Sequence, residues 1–339
     1  MKHEAKWSVV LTTIQAPTPA VHTLHEQMRQ YNGQMVVAGD KKGPAAFDLP
    51  DTMFLSLDKQ MECGFSLSVE LPTGHYARKN IGYLYAMREG AGCIYETDDD
   101  NAPLSSWCPR ALNVSDARIV DGAGWINVYR YFTDNKHIWP RGFPLEHVQS
   151  SLSASQPLSV SASPLISPIQ QGLVNGSPDV DAIWRLTQDR PFEFDQEAPL
   201  FLGEGQWCPF NTQSTWWWPE AYPLMYVPSY CSFRMCDIWK SFIAQRCLWA
   251  MGHGVTFHAA EVFQDRNPHD YLKDFEDEVP GYLSNARIAS VLEEVGLSSA
   301  PDAVGQNLHR CYQALIDADV FPKKEMVLVE AWLADVGKC

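Results

Sequence analysis

One stretch limits what this chain can fold into more than any other: a short apolar run that ends in three consecutive aspartates. Residues 92–101 read GCIYETDDDN, and the apolar part is typical of a buried strand. Adjacent carboxylates repel one another unless a positive charge lies beside them. Asp98, Asp99 and Asp100 therefore favour a binding site, with Mg²⁺ or Mn²⁺ as the counter-charge, because hard cations prefer oxygen ligands. The alternative is a solvated acidic turn.

The first third of the chain alternates strand and helix patterns. Residues 7–14, 34–39 and 52–57 predict strands, and residues 21–31 have helical spacing. This order predicts an α/β fold with a mostly parallel central sheet, flanked by helices, whose ligand lies at the carboxyl ends of the strands. Thr12 and Thr13 end the first strand and Asp40 follows the second, so we expect these three side chains at that edge. A turn role for Asp40 is equally open.

A basic helix start precedes the acidic stretch. Residues 78–90 have a helical pattern that begins with Arg78 and Lys79. Cations at a helix N-terminus oppose the macrodipole, unless they face an anion that the same terminus attracts. We therefore expect Arg78 and Lys79 to bind a diphosphate beside Asp98, with a merely solvated turn as the alternative.

The second half of the chain carries polar groups that suit a sugar. Asp179 and Asp181 precede a short helix, where they either bind a ligand or cap the helix. Asn211 and Gln213 lie in an amide-rich segment just before three tryptophans, of which Trp217 is the central one. Amides bond hydroxyls and aromatic faces stack on sugar rings, so these residues are candidate acceptor contacts. Burial of the tryptophans in the core is the alternative.

The strongest helix pattern of the second half spans residues 233–251 and has Asp237 in its first turn. Its carboxylate is either a dipole-stabilising cap or a general base aimed at an acceptor hydroxyl. Residues 125–132 predict a further strand, and residues 150–167, rich in Ser and Pro, predict a flexible surface insertion. Amphipathic helices end the chain.

The composition of the chain limits which classes of binding partner are expected. The chain has 339 residues and a net charge of −15, which excludes nucleic acid as a bulk partner but not a nucleotide with its metal. No run approaches 18 apolar residues, so no membrane span is expected in this chain. Nine cysteines without zinc-like spacing predict reduced, structural thiols. A cytoplasmic location is the default expectation, with a Golgi or secretory lumen as the alternative if an anchor was removed.

Six stretches in one order resemble the STELLO family of glycosyltransferase-like proteins and, more distantly, the reversibly glycosylated polypeptides, which include UDP-arabinopyranose mutases. They read RKNIGYLYA, YETDDDN, WPRGFP, QGLVNGSPDVDAIWRL, PFNTQST and DIW and lie within residues 78–239, while the resemblance as a whole extends over about residues 7 to 285. The resemblance implies a GT-A-like fold. It implies a nucleotide-sugar half over residues 1–125 and an acceptor half over residues 126–285, with C-terminal helices over residues 286–339.

The resemblance also implies roles. Asp98 and Asp100 would form the DxD motif that holds a nucleotide-sugar diphosphate, UDP above all, through Mn²⁺ or Mg²⁺, with Asp99 in the same donor site. His258 is a second candidate metal ligand, because GT-A sites often use a late histidine. The implied activity is transfer of a hexosyl or pentosyl group to a glycan or other hydroxyl acceptor. A nucleotide-sugar mutase and a non-catalytic sugar- or protein-binding scaffold are the alternatives.

Overall fold

The structure is a computed structural model that describes residues 6–153, 156–188, 190–265 and 270–339. Its helices are α1 (Pro19–Arg29), α2 (Leu57–Glu62), α3 (Ser66–Glu70), α4 (Lys79–Arg88), α5 (Leu145–Ser153), α6 (Ala182–Thr187), α7 (Cys236–Ala250), α8 (Tyr271–Glu294), α9 (Val304–Asp317) and α10 (Lys324–Val336). Its strands are β1 (Trp7–Thr13), β2 (Gln34–Gly39), β3 (Thr52–Leu55), β4 (Cys93–Thr97), β5 (Asn101–Pro103), β6 (Asn113–Val114), β7 (Arg118–Val120), β8 (Gly124–Trp125), β9 (Leu158–Val160), β10 (Leu165–Ile166), β11 (Ile169–Gly176), β12 (Leu200–Leu202), β13 (Gln206–Trp207), β14 (Ser214–Trp217) and β15 (Val255–Gln264).

One mixed sheet runs through the described ranges and contains eleven strands. Its order is β3-β2-β1-β4-β14-β11-β15-β12-β7-β9, and β5 pairs with β15. The first four strands of this order are parallel, β14 is antiparallel to both β4 and β11, and β11 is parallel to β15. The predicted α/β class, with a helix-flanked central sheet and a C-terminal helical segment, is confirmed.

Both faces of the first strands are buried, as expected for parallel strands between helix layers. Successive side chains of β1 point to opposite faces: Val9 and Leu11 join the cluster that packs on α1, and Val10 joins the cluster that includes α4. Close contact with α4 depends on Gly82, because a Cβ there would lie 2.7 Å from Cγ1 of Val10. An alanine at this position would force the helix away from the sheet.

A buried ion pair joins the sheet to α7. Glu96 on β4 is fully buried and accepts hydrogen bonds from Lys240 Nζ at 3.0 Å and Trp217 Nε1 at 2.7 Å. Because a buried charge without a partner is costly, these contacts fix the position of α7 relative to β4. The strand that carries the three aspartates and the helix that carries Asp237 are therefore held by one network.

The C-terminal helices pack onto the sheet domain. Glu325 of α10 accepts hydrogen bonds from the Tyr226 hydroxyl and from the backbone amides of Ser229 and Tyr230. Helix α8 continues from residue 271 to residue 294, so the boundary expected at residue 285 lies inside one helix. No helix in the described parts of the chain is both long and apolar enough to cross a bilayer.

Two segments differ from their predicted structure. Residues 125–132 were expected to form one strand, but the strand β8 ends at Trp125 and Val128–Tyr131 form a 3₁₀ helix. Val128 and Tyr129 are still buried in the core, but they enter it from this 3₁₀ helix rather than from a strand. In the predicted insertion at residues 150–167, β9 pairs with β7 and β10 pairs with β6, while residues 154 and 155 lie outside the described ranges.

Candidate active site at the carboxyl ends of the strands

A cavity of about 490 Å³ opens where the parallel strands end. Side chains from the ends of β1, β4 and β15, and from the loops after β2 and β11, line it. The sequence argument placed a ligand at this edge because the carboxyl ends of neighbouring parallel strands meet there. The structure brings these predicted residues to the cavity wall: Thr12, Thr13, Asp40, Asp98, Asp99, Asp100, Asp179, Gln213 and Asp237.

Asp98 is held by a buried cation. Its Oδ1 accepts hydrogen bonds from Lys79 Nζ at 3.0 Å and from the Tyr76 hydroxyl at 2.6 Å. The Lys79 ammonium also donates to the Thr97 carbonyl oxygen at 2.7 Å and to the Tyr76 hydroxyl. The basic start of α4 thus meets the acidic strand end, as predicted, but Lys79 contacts the aspartate directly and lies beneath the cavity wall.

Asp99 turns toward the first strand. Its carboxylate accepts a hydrogen bond from the Thr13 hydroxyl, and its carbonyl oxygen accepts one from Thr18, the residue that caps α1. Burial raises the pKa of Asp99. The middle acid therefore links β4 to β1, which leaves the two outer acids for a ligand.

Asp100 has an unsatisfied carboxylate. Its Oδ2 accepts a hydrogen bond from Gln264 Nε2 at 2.9 Å, whereas its Oδ1 is buried and has no hydrogen-bond partner among the described residues. Burial and the neighbouring carboxylates of Asp98 and Asp99 raise the pKa of Asp100 to about 7. A buried carboxylate oxygen without a partner is costly, and a cation would supply the missing charge.

The acid pair thus fits a hard divalent cation. Asp98 and Asp100 offer oxygen donors, and Oδ1 of Asp100 has no other role. In the arrangement seen here, no three His, Cys, Asp or Glu side chains of the described residues form a complete metal cage. Mg²⁺ commonly takes one or two protein carboxylates and completes its shell with water and substrate phosphates.

Arg78 does not reach the cavity, which corrects the expectation that it binds a diphosphate. Its guanidinium donates to Gln60 Oε1 at 2.8 Å and to the carbonyl oxygens of Ser68 and Leu71, and only 1% of the residue is exposed. Arg78 ends a 3₁₀ turn just before α4, and its side chain points to α2 and α3. It therefore fastens these helices together.

His258 lies far from the acids, which corrects its assignment as a metal ligand. It is on β15, six residues before Gln264, which bonds Asp100; six strand residues span about 20 Å. Its ring contacts Gln170 Oε1 at 3.0 Å, and burial, with the nearby charge of Arg110, lowers its pKa. His258 is a neutral core histidine in this fold.

Asp40 and Thr12 lie on the cavity wall but have protein partners. The Asp40 carboxylate accepts hydrogen bonds from the backbone amides of Gly74 at 2.7 Å and His75 at 2.8 Å. The Thr12 hydroxyl donates to the Ala38 carbonyl oxygen at 2.7 Å. Asp40 thereby fixes the loop that leads to Tyr76, in addition to any contact with a ligand.

An arginine between two acids forms the opposite wall. Arg141 donates from Nε and Nη2 to Asp179, at 2.7 and 2.9 Å, and from Nη1 and Nη2 to Asp237, at 3.0 and 2.7 Å. Burial alone would raise the pKa of Asp179, but the ion pair with Arg141 outweighs it and lowers that pKa. Both carboxylates border the cavity while paired with one cation, so Asp237 is not a free base in this arrangement.

Three predicted acceptor contacts do not line this cavity. Asp181 is fully buried and caps α6 by accepting from the Trp184 amide, and it also accepts from Trp139 Nε1. Trp217 is fully buried in the core, which corrects its assignment to a sugar-stacking surface. Asn211 donates to Asp179 Oδ2 at 2.9 Å and supports that carboxylate from behind.

Tyr76, Arg141 and Phe233 are among the cavity residues that the sequence argument missed. Tyr76 bonds Asp98, Arg141 pairs two acids, and Phe233 is 57% exposed at the cavity with edge-on ring contacts to His75 and Tyr76. Arg141 lies in the WPRGFP stretch, and nothing in that stretch indicates which acids its guanidinium pairs with. An exposed aromatic residue beside a predicted helix start carries no distinctive sequence signal.

Comparisons with known proteins agree with the motifs. The family model described as STELLO glycosyltransferases matches residues 234–339. Two Arabidopsis thaliana proteins, "Probable glycosyltransferase STELLO2" and "Probable glycosyltransferase STELLO1", are 27% and 25% identical to this chain, and each match covers 98% of it. The chain spans 44% of the length of each relative, which is less than half.

Two solved structures align with this chain at 9% identity and a TM-score of 0.38, which is too low to support an argument about fold or site. One is glucosyl-3-phosphoglycerate synthase from Mycobacterium tuberculosis. The alignment covers 86% of this chain and 80% of that protein. The other is a mycobacterial protein, of which 74% is covered. The resemblance seen in the motifs is confirmed by the sequence matches: over nearly its whole length, this chain is similar to two proteins described as probable STELLO glycosyltransferases.

Proposed function

We propose that the cavity binds a nucleotide sugar together with Mn²⁺ or Mg²⁺, and that the chain transfers the sugar to a hydroxyl of a glycan or similar acceptor. The observation that carries this proposal is the pair Asp98 and Asp100 at the end of β4, with Oδ1 of Asp100 buried and unpaired in the cavity wall. Similarity to proteins described as probable glycosyltransferases supports it.

The donor would occupy the side formed by β1, β2 and β4. Asp98 and Asp100 would hold the cation, which when bound screens the diphosphate and stabilises the leaving nucleotide. Thr12, Thr13 and the loop at Asp40 border the same side and would contact base and ribose. UDP is the nucleotide that we expect. Lys79 contributes by fixing Asp98, since its ammonium is committed to that carboxylate.

The acceptor would occupy the side formed by Arg141, Asp179, Asp237 and Phe233. The exposed ring of Phe233 offers an apolar surface for the C–H face of a sugar. Asp237 remains the candidate general base, provided that acceptor binding releases it from Arg141. Asp179 has the same arginine partner, so it provides a matched comparison.

Product analysis tests the reaction. The protein is incubated with UDP-hexoses and UDP-pentoses, with and without Mn²⁺, and products are separated by anion-exchange chromatography. Transfer or hydrolysis predicts metal-dependent release of free UDP, faster with an acceptor. Accumulation of ring isomers of an intact nucleotide sugar would show a mutase, and binding without any product would leave the scaffold alternative.

A pair of isosteric variants tests the base. Asp237→Asn and Asp179→Asn each remove one charge beside Arg141. Loss of a general base slows turnover by about 10²–10⁴-fold, and donor affinity should hold because the diphosphate contacts lie elsewhere. We expect this loss for Asp237→Asn alone, with both variants folded. Equal turnover of the two variants would remove Asp237 from the mechanism.

A further inference from the structure

Gln213 has a buried hydrogen-bonding atom without a partner. Only 8% of the residue is exposed, and its Oε1 is buried without a hydrogen-bond partner among the described residues. The side chain nevertheless lines the cavity. Buried polar groups are nearly always paired, so an unpaired one at a cavity wall indicates a ligand contact.

The position of Gln213 is fixed by the strand beside the acids. Ser214 pairs with Thr97 in the antiparallel β14–β4 ladder, so Gln213 lies opposite Asp98. Its backbone carbonyl oxygen accepts from the Thr97 hydroxyl at 2.7 Å, and its amide donates to Asn211 Oδ1 at 3.0 Å. Directly opposed residues have Cβ atoms about 5 Å apart, so Gln213 enters the cavity wall at a position neighbouring Asp98, and both residues line the same cavity.

Its neighbour strengthens this placement. The Thr212 hydroxyl lies 2.6 Å from the Tyr76 hydroxyl, which itself bonds Asp98. The segment that carries Gln213 is thus tied to the acid by side chains as well as by the ladder. A backbone fixed at both flanking residues need not be ordered again when the side chain between them binds a ligand.

The chemistry of an amide limits what it can contact. The unpaired oxygen needs a hydrogen-bond donor, which a phosphate oxygen cannot provide at neutral pH and a sugar hydroxyl can. The nucleoside would lie over β1 and β2, on the far side of Asp98 from β14. The group that reaches Gln213 from a diphosphate held at Asp98 and Asp100 is therefore the sugar.

We propose that Gln213 hydrogen-bonds a hydroxyl of the donor sugar and thereby selects which sugar is transferred. The inference rests on the proposed function, because it takes the cavity as the nucleotide-sugar site. It moves Gln213 from the acceptor side, where the sequence placed it, to the donor side. A site built to bond a hydroxyl rejects the analogue that lacks it, since its own buried group is then left unpaired.

The test compares UDP with three UDP-sugars on matched variants. Affinities for UDP and for UDP-glucose, UDP-galactose and UDP-xylose are measured by isothermal titration calorimetry with Mg²⁺. The proteins are the wild type, Gln213→Leu, Gln213→Met and the control Gln313→Leu, because the Gln313 side chain donates to Asp317 on the surface of α9. Two apolar replacements are used so that the test still stands if one variant fails to fold. Melting curves show whether each variant is folded.

We expect Gln213→Leu and Gln213→Met to bind the preferred UDP-sugar about tenfold more weakly, the usual contribution of one such hydrogen bond. Affinity for UDP should stay within about twofold, since one hydrogen bond to the sugar is all that is removed. Preference among the three sugars should shrink in the same variants. Equal changes for UDP and UDP-sugar, or no change in either, would overturn the proposal. Failure of the wild type to bind UDP with Mg²⁺ would instead contradict the proposed function itself.

Discussion

The ammonium group of Lys79 lies 3.0 Å from Oδ1 of Asp98, and none of the lysine side chain is exposed. The pair joins the first residue of α4 to the first residue after β4. A buried cation at this place offsets part of the repulsion among three consecutive aspartates. It leaves Oδ2 of Asp98 and Oδ1 of Asp100 for a ligand.

A double-mutant cycle measures this pair. Lys79→Met should lower the free energy of unfolding by about 1–3 kcal/mol, because it leaves a partly buried carboxylate without its main partner. In the Asp98→Asn background the same change should cost less, with a coupling energy of about 0.5–3 kcal/mol. Urea unfolding of the four proteins provides the numbers. An identical cost in both backgrounds would show that Lys79 stabilises the fold through other contacts.

Arg141 stabilises two buried carboxylates, so its removal should lower the free energy of unfolding strongly, by an amount that depends on pH. Arg141→Met should cost about 3–5 kcal/mol at neutral pH, because it leaves Asp179 and Asp237 buried without their cation. In the wild type the lowered pKa of Asp179 contributes stability that is present above the unfolded pKa and lost as pH falls. In the variant, burial would raise the pKa of Asp179 without the opposing effect of Arg141, so lowering the pH would favour folding.

The difference in stability between the wild type and Arg141→Met should therefore shrink as the pH falls from 8 toward about 4. Aspartates in the unfolded chain titrate near the lower end of this range. Thermal melts across this range measure it. Arg246→Met is the matched control: among the described residues this arginine donates to the carbonyl oxygens of Leu292 and Val295 and to no carboxylate, so its deficit should not depend on pH. A pH-independent deficit for Arg141→Met would contradict the account of this wall.

Asp181 predicts a second pH effect, of opposite sign. Burial is the main cause that raises its pKa to about 7, with Glu278 adding to it. A raised folded pKa gives stability that is fully present below about pH 4 and is lost as pH rises through 7. Asp181→Asn, which retains a capping oxygen for α6, should flatten this decline in melting temperature between pH 5 and pH 8. Parallel curves for the two proteins would show that Asp181 is ionised throughout.

The sequence predicted the acidic strand end because it follows from two local signals, apolar periodicity and then consecutive charges. It could not separate Arg78 from Lys79: they are neighbours on one turn, yet one fastens α2 and α3 while the other bonds Asp98. The arrangement at Arg141 was not predictable either, because its two partners are 38 and 96 residues away.

Burial explains the remaining differences. Trp217 resembled a sugar platform, but the alternation of β14 and its pairing with β4 place it in the core, where its Nε1 bonds Glu96. His258 was predicted to be a metal ligand because of the resemblance to GT-A sites. In the structure its distance along the strand separates it from the acids. Both errors concern which face of a strand a residue occupies and how far along it lies, which one sequence does not fix.

The central claim is that Asp98 and Asp100 hold the nucleotide through a divalent cation, and metal-dependent nucleotide binding tests it most directly. UDP affinity is measured by calorimetry, with and without Mn²⁺, for the wild type and for Asp98→Ala combined with Asp100→Ala. We predict that the wild type binds UDP in the presence of Mn²⁺ and does not bind it in metal-free buffer. The variant should lose this binding while folding normally, with a melting temperature at least as high in metal-free buffer because repulsion is removed. UDP binding that is independent of Mn²⁺ and unchanged in the variant would contradict the account.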